Sequence, residues 1–305
     1  MKYNGTTMAA RVSLLTLGVM LAGCGGGGGS GGVASTPTPT PPPVTYTKIV
    51  DMSGNRTFQT AGVSFSPTGV GVTNGSARNF GDGTVVKYDA ASDTYTLTAP
   101  TGETASFSPL TAQPTTVANA QQWNVPTGTG RETLTLFVPS SSTGVVLSYT
   151  IFGTWQTINN TGGSSTARLA VGGVPTVASD MPRTGTASYA AAIYGTAINN
   201  GIPYNLNASS KATFSTDFAA GTVATALDLA GKTSATAPVF TIGTYNGTGT
   251  IISGGPGFSG SLTGSNASGQ FTGAFFGPSA LEMGYTFFMN GSTLGVAGSV
   301  SGIKQ

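Results

Sequence analysis

The sequence predicts an all-β protein with an antiparallel β-barrel in its C-terminal part. Glycine accounts for 47 of 305 residues and charged residues for only 7%, a composition that disfavours helices and suits short strands joined by glycine turns. Apolar residues alternate with other residues in many short runs, which is the two-residue period of strands. Glycine, asparagine and aspartate separate these runs, as tight turns require.

The residue types exclude several classes of function. Histidine is absent and Cys24 is the only cysteine, which excludes His-based hydrolase chemistry, Cys/His metal sites and an intrachain disulfide. A leader with Lys2 and Arg11 would leave ten basic and ten acidic residues when removed, so charge predicts no nucleic-acid partner. The carboxylates are scattered without a visible catalytic pair. Ten tyrosines could in principle ligate iron, but core and rim packing is the expected role. We predict no catalytic residues, no metal site and no cofactor.

Residues 1–23 have the organisation of a lipoprotein signal peptide. Lys2 and Arg11 precede an apolar run, and small residues stand before the cysteine. Residues 21–24, Leu-Ala-Gly-Cys, look like a bacterial lipobox, which predicts cleavage before Cys24 and its modification with lipid, palmitate included. The alternatives are a plain signal peptide followed by an unrelated cysteine, or a transmembrane helix, for which the run is too short. In the sorting pattern of bacterial lipoproteins that this segment resembles, Gly25 rather than an acidic residue after the cysteine implies the outer membrane.

Residues 24–43 form the predicted tether. Glycines dominate residues 25–32 and predict a flexible coil, whereas the proline-rich residues 36–43 predict a stiff polyproline II spacer. At about 3.1 Å per residue, that spacer would hold the following domain roughly 25 Å further from the lipid.

Residues 44–180 are predicted to form a strand-rich N-terminal domain. Alternating runs occupy residues 63–65, 84–88, 94–98, 134–138 and 148–155, with turns at 74–75 and 81–83 and a polar loop at 159–166. Tyr88, Tyr95, Trp123 and Phe137 are expected in the core.

Residues 181–305 are predicted to form the barrel. Candidate strands follow one another at intervals typical of a closed antiparallel sheet: 186–194, 211–216, 222–229, 239–244, 249–252, 258–263, 270–276, 285–289 and 294–300. Residues 255–260 spell G-x-G-x-x-G, but a strand-like run follows instead of a helix, so we interpret them as a turn. Residues 199–210 are predicted to be a polar loop.

The most regular segment of the sequence is 269–284. Phe271, Gly273 and Phe275 fall on one face of a strand, Gly277 and Pro278 end it, and alternation resumes at Tyr285. The segment resembles the barrel-closing signature of the transferrin-binding protein B superfamily of bacterial surface lipoproteins, with one departure at Tyr285, where that pattern has a second glycine. The matching positions are Gly273, Phe275, Phe276, Gly277, Pro278, Ala280, Glu282 and Gly284. Within the signature, Glu282 is expected to bind a strand end or pair with an arginine.

The resemblance implies an eight-stranded-type barrel preceded by a handle-like domain. It also implies binding rather than catalysis: an outer-membrane-anchored lipoprotein that takes a host or environmental iron- or haem-carrier protein, or a related solute, for a membrane transporter. The ligand-binding residues are not assigned. An adhesive or structural surface protein and a small-molecule-binding barrel with an apolar cavity are the alternatives. A membrane-spanning barrel is disfavoured because a lipid anchor would be redundant and the candidate strands are shorter than about 9–11 residues.

Overall fold

The computed structural model describes residues 44–69, 71–206 and 209–305. The predicted signal peptide, Cys24 and the predicted tether lie outside the described residues. Within the described part, residues Val44–Gln305 form one unit. Its regular structure consists almost entirely of strands, which confirms the predicted fold class.

Two antiparallel sheets precede the barrel. Their strands are β1 (Arg56–Phe58), β2 (Ala61–Pro67), β3 (Val72–Arg78), β4 (Val85–Asp89), β5 (Thr94–Thr98), β6 (Thr104–Phe107), β7 (Ala112–Gln113), β8 (Ala120–Thr127), β9 (Gly130–Phe137), β10 (Thr150–Asn159) and β11 (Ser164–Gly173). The order is β1-β4-β5-β6 in the smaller sheet and β3-β2-β11-β10-β9-β8-β7 in the larger. Buried residues of both sheets form one core, which includes Val86, Leu97, Phe107, Trp123, Leu134 and Trp155.

Two predicted connections in this region are wrong. Residues 74–75, predicted as a turn, lie inside β3, and Asn74 has a positive φ of 53° beside an irregularity in the pairing of β2 with β3. Asparagine tolerates this conformation, so the same residue type serves a bulge as well as a turn. Of residues 159–166, predicted as a loop, half belong to the ends of β10 and β11, and only residues 160–163 form the turn between them.

The C-terminal strands close into a barrel. They are β12 (Thr186–Asn199), β13 (Ile202–Asn205), β14 (Lys211–Asp217), β15 (Thr222–Gly231), β16 (Phe240–Ile251), β17 (Gly257–Gly264), β18 (Ser268–Phe276), β19 (Glu282–Asn290) and β20 (Leu294–Lys304). Neighbours pair in the order β12-β14-β15-β16-β17-β18-β19-β20, and β20 pairs with β12 from Tyr189↔Lys304 to Asn199↔Leu294. The short β13 adds to the end of β12. This confirms the eight-stranded antiparallel barrel.

Aromatic side chains fill the barrel interior. Phe214, Phe258, Phe271, Phe275, Tyr285 and Phe287 are all at most 2% exposed and belong to one core cluster. Ring centroids lie 5.0 Å apart for Phe258 and Phe275 and 5.3 Å apart for Phe271 and Tyr285. Side chains therefore occupy the space in which a small-molecule-binding barrel would hold its ligand.

The predicted strand lengths need correction. Residues 239–244 and 249–252, predicted as two strands, are parts of the single strand β16, and β12, β19 and β20 extend beyond their predicted ends. Barrel strands reach 14 residues, so the argument from strand length against a membrane barrel is wrong. The outward side chains disfavour a membrane-spanning barrel instead. Exposed outward positions such as Thr213, Thr244 and Thr248 are polar, whereas a lipid-facing wall is apolar. Of residues 255–260, which spell G-x-G-x-x-G and were predicted to be a turn, only 255 and 256 lie in the turn, because β17 begins at Gly257.

The larger N-terminal sheet packs against one side of the barrel. One cluster joins Ala61, Tyr149, Phe152 and Val171 of the N-terminal region to Ala274 and Phe276 of β18. A second joins Val63, Phe65, Val72 and Ala167 to Ala297 of β20. We call this contact the joint.

Candidate functional site

The signature segment connects β18 to β19 at the joint. Phe275 points into the barrel, where it contacts Phe218 and Phe258. The next residue, Phe276, points the other way and packs edge-on against Phe80, with ring centroids 6.0 Å apart. Alternate side chains of one strand thus serve two cores, which explains why both neighbouring positions are aromatic.

Gly277 occupies a position that only glycine fits. Its φ is +70°, and a Cβ atom would lie 2.4 Å from the Tyr149 ring. Its N–H donates to the Val174 carbonyl at 2.9 Å, and its own carbonyl accepts from Thr176 Oγ1 at 2.6 Å. Pro278 follows and begins a single turn. The turn is therefore held by the segment that leads from the N-terminal sheets into the barrel.

The rest of the turn is strained. Ser279 and Ala280 both have positive φ, 50° and 56°, a conformation that costs non-glycine residues of order 1–3 kcal/mol each. The Tyr189 hydroxyl donates to the Ala280 carbonyl at 2.7 Å, and Lys304 Nζ donates to the Ser279 carbonyl at 2.9 Å. These contacts from β12 and β20 stabilise the turn.

Two further signature glycines permit close backbone approach. A Cβ on Gly284 would lie 2.7 Å from Val171 Cγ2, across the joint. A Cβ on Gly273 would lie 2.2 Å from the Gly284 carbonyl oxygen. Both positions are in strands whose spacing a side chain would disturb.

Glu282 is buried at the joint, 1% exposed. Its carboxylate accepts from the backbone N–H of Ser148 at 2.6 Å, the N–H of Tyr149 at 2.9 Å and Thr150 Oγ1 at 2.9 Å. The carboxylate thus binds the start of β10, and its partners are strand-end groups rather than an arginine. Burial raises the pKa of Glu282, and these hydrogen bonds offset part of that rise.

Asp180 forms a second polar contact across the joint. It accepts from the Tyr46 hydroxyl at 2.8 Å, the Ser279 N–H at 2.7 Å and Ser279 Oγ at 3.1 Å. Burial alone would raise the pKa of Asp180, but the hydrogen bonds from Ser279 and Tyr46, with the charge of Lys304, outweigh it and lower the pKa. Two carboxylates at one contact therefore shift in opposite directions.

An exposed apolar patch lies at the far end of the barrel. Its members are Ile202, Val239 and Phe240, 47%, 54% and 41% exposed, and Phe240 stacks on Tyr204 with ring centroids 4.9 Å apart. β13 follows the end of β12 that pairs with Leu294, at the start of β20. Glu282 instead pairs with Ile303, near the end of β20, so Glu282 and the patch lie near opposite ends of the barrel. We call Ile202, Val239 and Phe240, together with the largely buried Tyr204 on which Phe240 stacks, the distal patch. They include part of the predicted loop 199–210, which contains the strand β13.

A half-open cavity of about 230 Å³ lies between the two N-terminal sheets. Tyr88 and Tyr95, predicted as core residues, line it together with Arg56. Sequence reasoning missed it because tyrosines that line a cavity alternate along a strand in the same way as tyrosines that fill a core.

Neither a metal-ligand cluster nor a membrane-spanning helix is found in the described ranges 44–69, 71–206 and 209–305. Histidine, cysteine, aspartate and glutamate side chains there form no group of three or more suited to a metal ion. Nor does that part of the chain contain a helix long and apolar enough to span a bilayer.

Residues 181–304 match the family model of the C-lobe and N-lobe β-barrels of Tf-binding protein B. The matched segment contains every strand of the closed barrel and the whole signature. The barrel is thus similar to the barrels of that family. A search of curated proteins finds no match.

Solved structures of transferrin-binding protein B are similar to the chain. A Trp-176-Ala mutant from Haemophilus parasuis Hp5 is 17% identical over 81% of this chain and 45% of its own, with a TM-score of 0.46. The isotype 1 protein from serogroup B Neisseria meningitidis is 20% identical over 80% of this chain and 43% of its own, with a TM-score of 0.44. The chain thus spans less than half the length of both. HpuA from Kingella denitrificans, in complex with human haemoglobin, is 17% identical over 84% of this chain and 89% of its own, with a TM-score of 0.41.

Proposed function

We propose that the chain is a surface lipoprotein of the outer membrane that captures a host or environmental iron- or haem-carrier protein, or a related solute, for a membrane transporter. The observation that carries this proposal is the match of residues 181–304 to the barrels of Tf-binding protein B. Binding without turnover also agrees with the lack of histidine in the sequence.

Anchoring is proposed to depend on Cys24. In this scheme residues 1–23 are removed, Cys24 carries the lipid, residues 24–43 are the tether, residues 44–180 the handle-like domain and residues 181–305 the barrel. Tethering keeps bound cargo near a transporter by raising its effective concentration. Cys24→Ser should leave the protein unlipidated and in the aqueous phase on detergent partitioning, because the thiol is the acyl acceptor. Equal membrane retention of mutant and wild type would refute lipid anchoring.

The distal patch is the proposed contact surface for the carrier. Exposed aromatic and branched residues that cluster at one end of a domain suit a protein interface. Glu282 lies near the other end of the barrel, so a substitution of Phe240 should leave the hydrogen bonds of Glu282 intact.

Capture is tested with immobilised fragment 44–305 and solutions of transferrin, lactoferrin and haemoglobin. We expect saturable retention of one carrier, loss of retention in Phe240→Asp, and no loss in the matched control Val50→Asp, since Val50 is 79% exposed elsewhere. Retention of none would favour the adhesive alternative. Growth of a deletion strain on that carrier as sole iron source then tests the delivery step: unimpaired growth would refute it.

A further inference from the structure

The cavity between the N-terminal sheets exists because its floor lacks side chains. Across β9, β10 and β11 one transverse row reads Leu136, Gly153, Ala170, and the neighbouring row pairs Ile151 with Gly172. A Cβ on Gly153 would meet only the end of the Leu136 side chain, at 3.2 Å. The missing side chain at Gly153 and the small one at Ala170 therefore leave about 230 Å³ open between the sheets, whereas a Cβ on Gly172 would lie 3.2 Å from Gln59 O.

Aromatic side chains form the opposite wall. Arg56, Tyr88 and Tyr95 lie opposite one another on β1, β4 and β5 and form one transverse row. The two tyrosine rings have centroids 4.8 Å apart, and Tyr95 packs edge-on against Trp123 at 5.2 Å. Rings held in this way offer a rigid apolar surface to a ligand.

Two hydrogen-bond donors in this wall are available. The Arg56 guanidinium donates to the Asn55 carbonyl at 2.9 Å, and in the described part of the chain the one ion pair joins Arg168 to Glu103. The Tyr95 hydroxyl has no hydrogen-bond partner among the described residues. Burial, with smaller effects of Tyr88 and Asp93, raises the pKa of Tyr95 to about 12, so this hydroxyl remains a donor.

Two carboxylates near the tyrosine wall, Asp89 and Asp93, are already engaged. Asp93 accepts from the Tyr88 hydroxyl at 2.9 Å. Asp89 accepts from the backbone N–H groups of Ala91 and Ser92 at 3.0 and 2.9 Å. Both belong to the β4–β5 turn, so the donors of Arg56 and Tyr95 remain for a ligand.

We propose that this cavity binds a small carboxylate with an apolar body, placed between the glycine floor and the tyrosine rings, with its carboxylate at Arg56 and Tyr95. A guanidinium fork matches a carboxylate in geometry and charge. A cavity of 150 Å³ accommodates benzene, so this larger one admits a body of roughly eight to ten carbon atoms. The cavity shares no lining residue with the distal patch and does not depend on the proposed carrier capture.

The test is calorimetric titration of the chain from residue 24 onward, carrying Cys24→Ser to avoid detergent, with octanoate, 1-octanol and octyltrimethylammonium. We expect octanoate to bind saturably with one site, and the other two at least ten-fold more weakly. Arg56→Gln should weaken octanoate binding at least ten-fold and Tyr95→Phe several-fold, whereas Arg131→Gln, an exposed arginine outside the cavity, should change nothing.

Filling the cavity tests its location. Gly153→Val should abolish saturable binding; if that variant unfolds, Gly153→Ala, which needs only a small shift of Leu136, should weaken binding several-fold. The proposal is overturned if octanol or the cation binds as tightly as octanoate, if Arg56→Gln or the filled variants bind like wild type, or if folded wild type shows no saturable binding up to about 5 mM.

Discussion

Two halves of the same barrel wall differ in what covers them. Along β14, β15 and β16 buried and exposed residues alternate, and the outward positions include Thr213, Asp228 and Thr248. Along β18, β19 and β20 most residues are buried on both faces, because the N-terminal sheet covers the outside.

The difference shows what a covered wall requires. Outward positions on the covered side are small, as at Gly284 and Ala297, or aromatic where they fill the joint, as at Phe276. The buried carboxylate of Glu282 accepts the hydrogen bonds of the donors at the start of β10. The signature residues thus combine closure of the barrel with attachment of the sheet, and substitutions there should cost more than similar substitutions on the open side.

The largest effect is expected at Gly277. Gly221, in the β14–β15 turn of the open side, has nearly the same φ, +66°, but a Cβ there would meet no atom within 4 Å. Gly221→Val should therefore lower the free energy of unfolding only through backbone strain, by about 1–3 kcal/mol. Gly277→Val adds the clash with Tyr149, for a total of about 3–5 kcal/mol. Chemical denaturation measures the unfolding free energy of both variants. Equal losses would mean that contact with Tyr149 at the joint does not contribute to the cost at Gly277.

Glu282→Gln should have the next largest effect. An amide nitrogen would face one of the two backbone donors, Ser148 N–H or Tyr149 N–H, and leave it unsatisfied, at a cost of about 1–3 kcal/mol. The matched control is Asp228→Asn, whose carboxylate accepts from Thr244 Oγ1 at the open surface, and which should change stability by less than about 0.5 kcal/mol. Similar losses for both would contradict the comparison.

The pH dependence of stability separates Glu282 from Asp180. The pKa of Glu282 is raised above 4.5 in the folded state, so its contribution to stability falls as pH rises from about that value through the folded pKa. The pKa of Asp180 is lowered below 3.8, so its contribution is present above that value and is lost as pH falls through the folded pKa. Stability curves of Glu282→Gln and Asp180→Asn should each lose one of these slopes. Unchanged curves would refute the assigned shifts.

Asp180→Asn should have the smallest effect. The amide oxygen can still accept from Tyr46 or from the Ser279 N–H, and the site is partly solvated, so we expect a loss of about 1 kcal/mol. Thermal unfolding measures it. A loss as large as that of Gly277→Val would show that the strained turn depends chiefly on this carboxylate.

The sequence predicted which face of the signature strand is apolar, but it did not predict that the opposite face is buried as well. Alternation predicted that Phe271 and Phe275 share a face and that the pattern resumes at Tyr285, and all three side chains lie in the barrel interior. Nothing in the local pattern indicated that the opposite face is buried too, because its partners, such as Tyr149 and Val171, come from strands more than 100 residues earlier. The cavity of Arg56 and Tyr95 was hidden for the same reason, since its floor is supplied by distant strands.

The joint is structural in this molecule, and we propose that the distal patch captures the carrier. The direct test is binding per folded molecule of transferrin, lactoferrin and haemoglobin to wild type, Phe240→Asp and Glu282→Gln. For the carrier that wild type retains, Phe240→Asp should weaken binding at least ten-fold without loss of melting temperature, and Glu282→Gln should lower binding only in proportion to its unfolded fraction. Normal binding by Phe240→Asp together with lost binding by folded Glu282→Gln would contradict the claim and make the signature the contact surface.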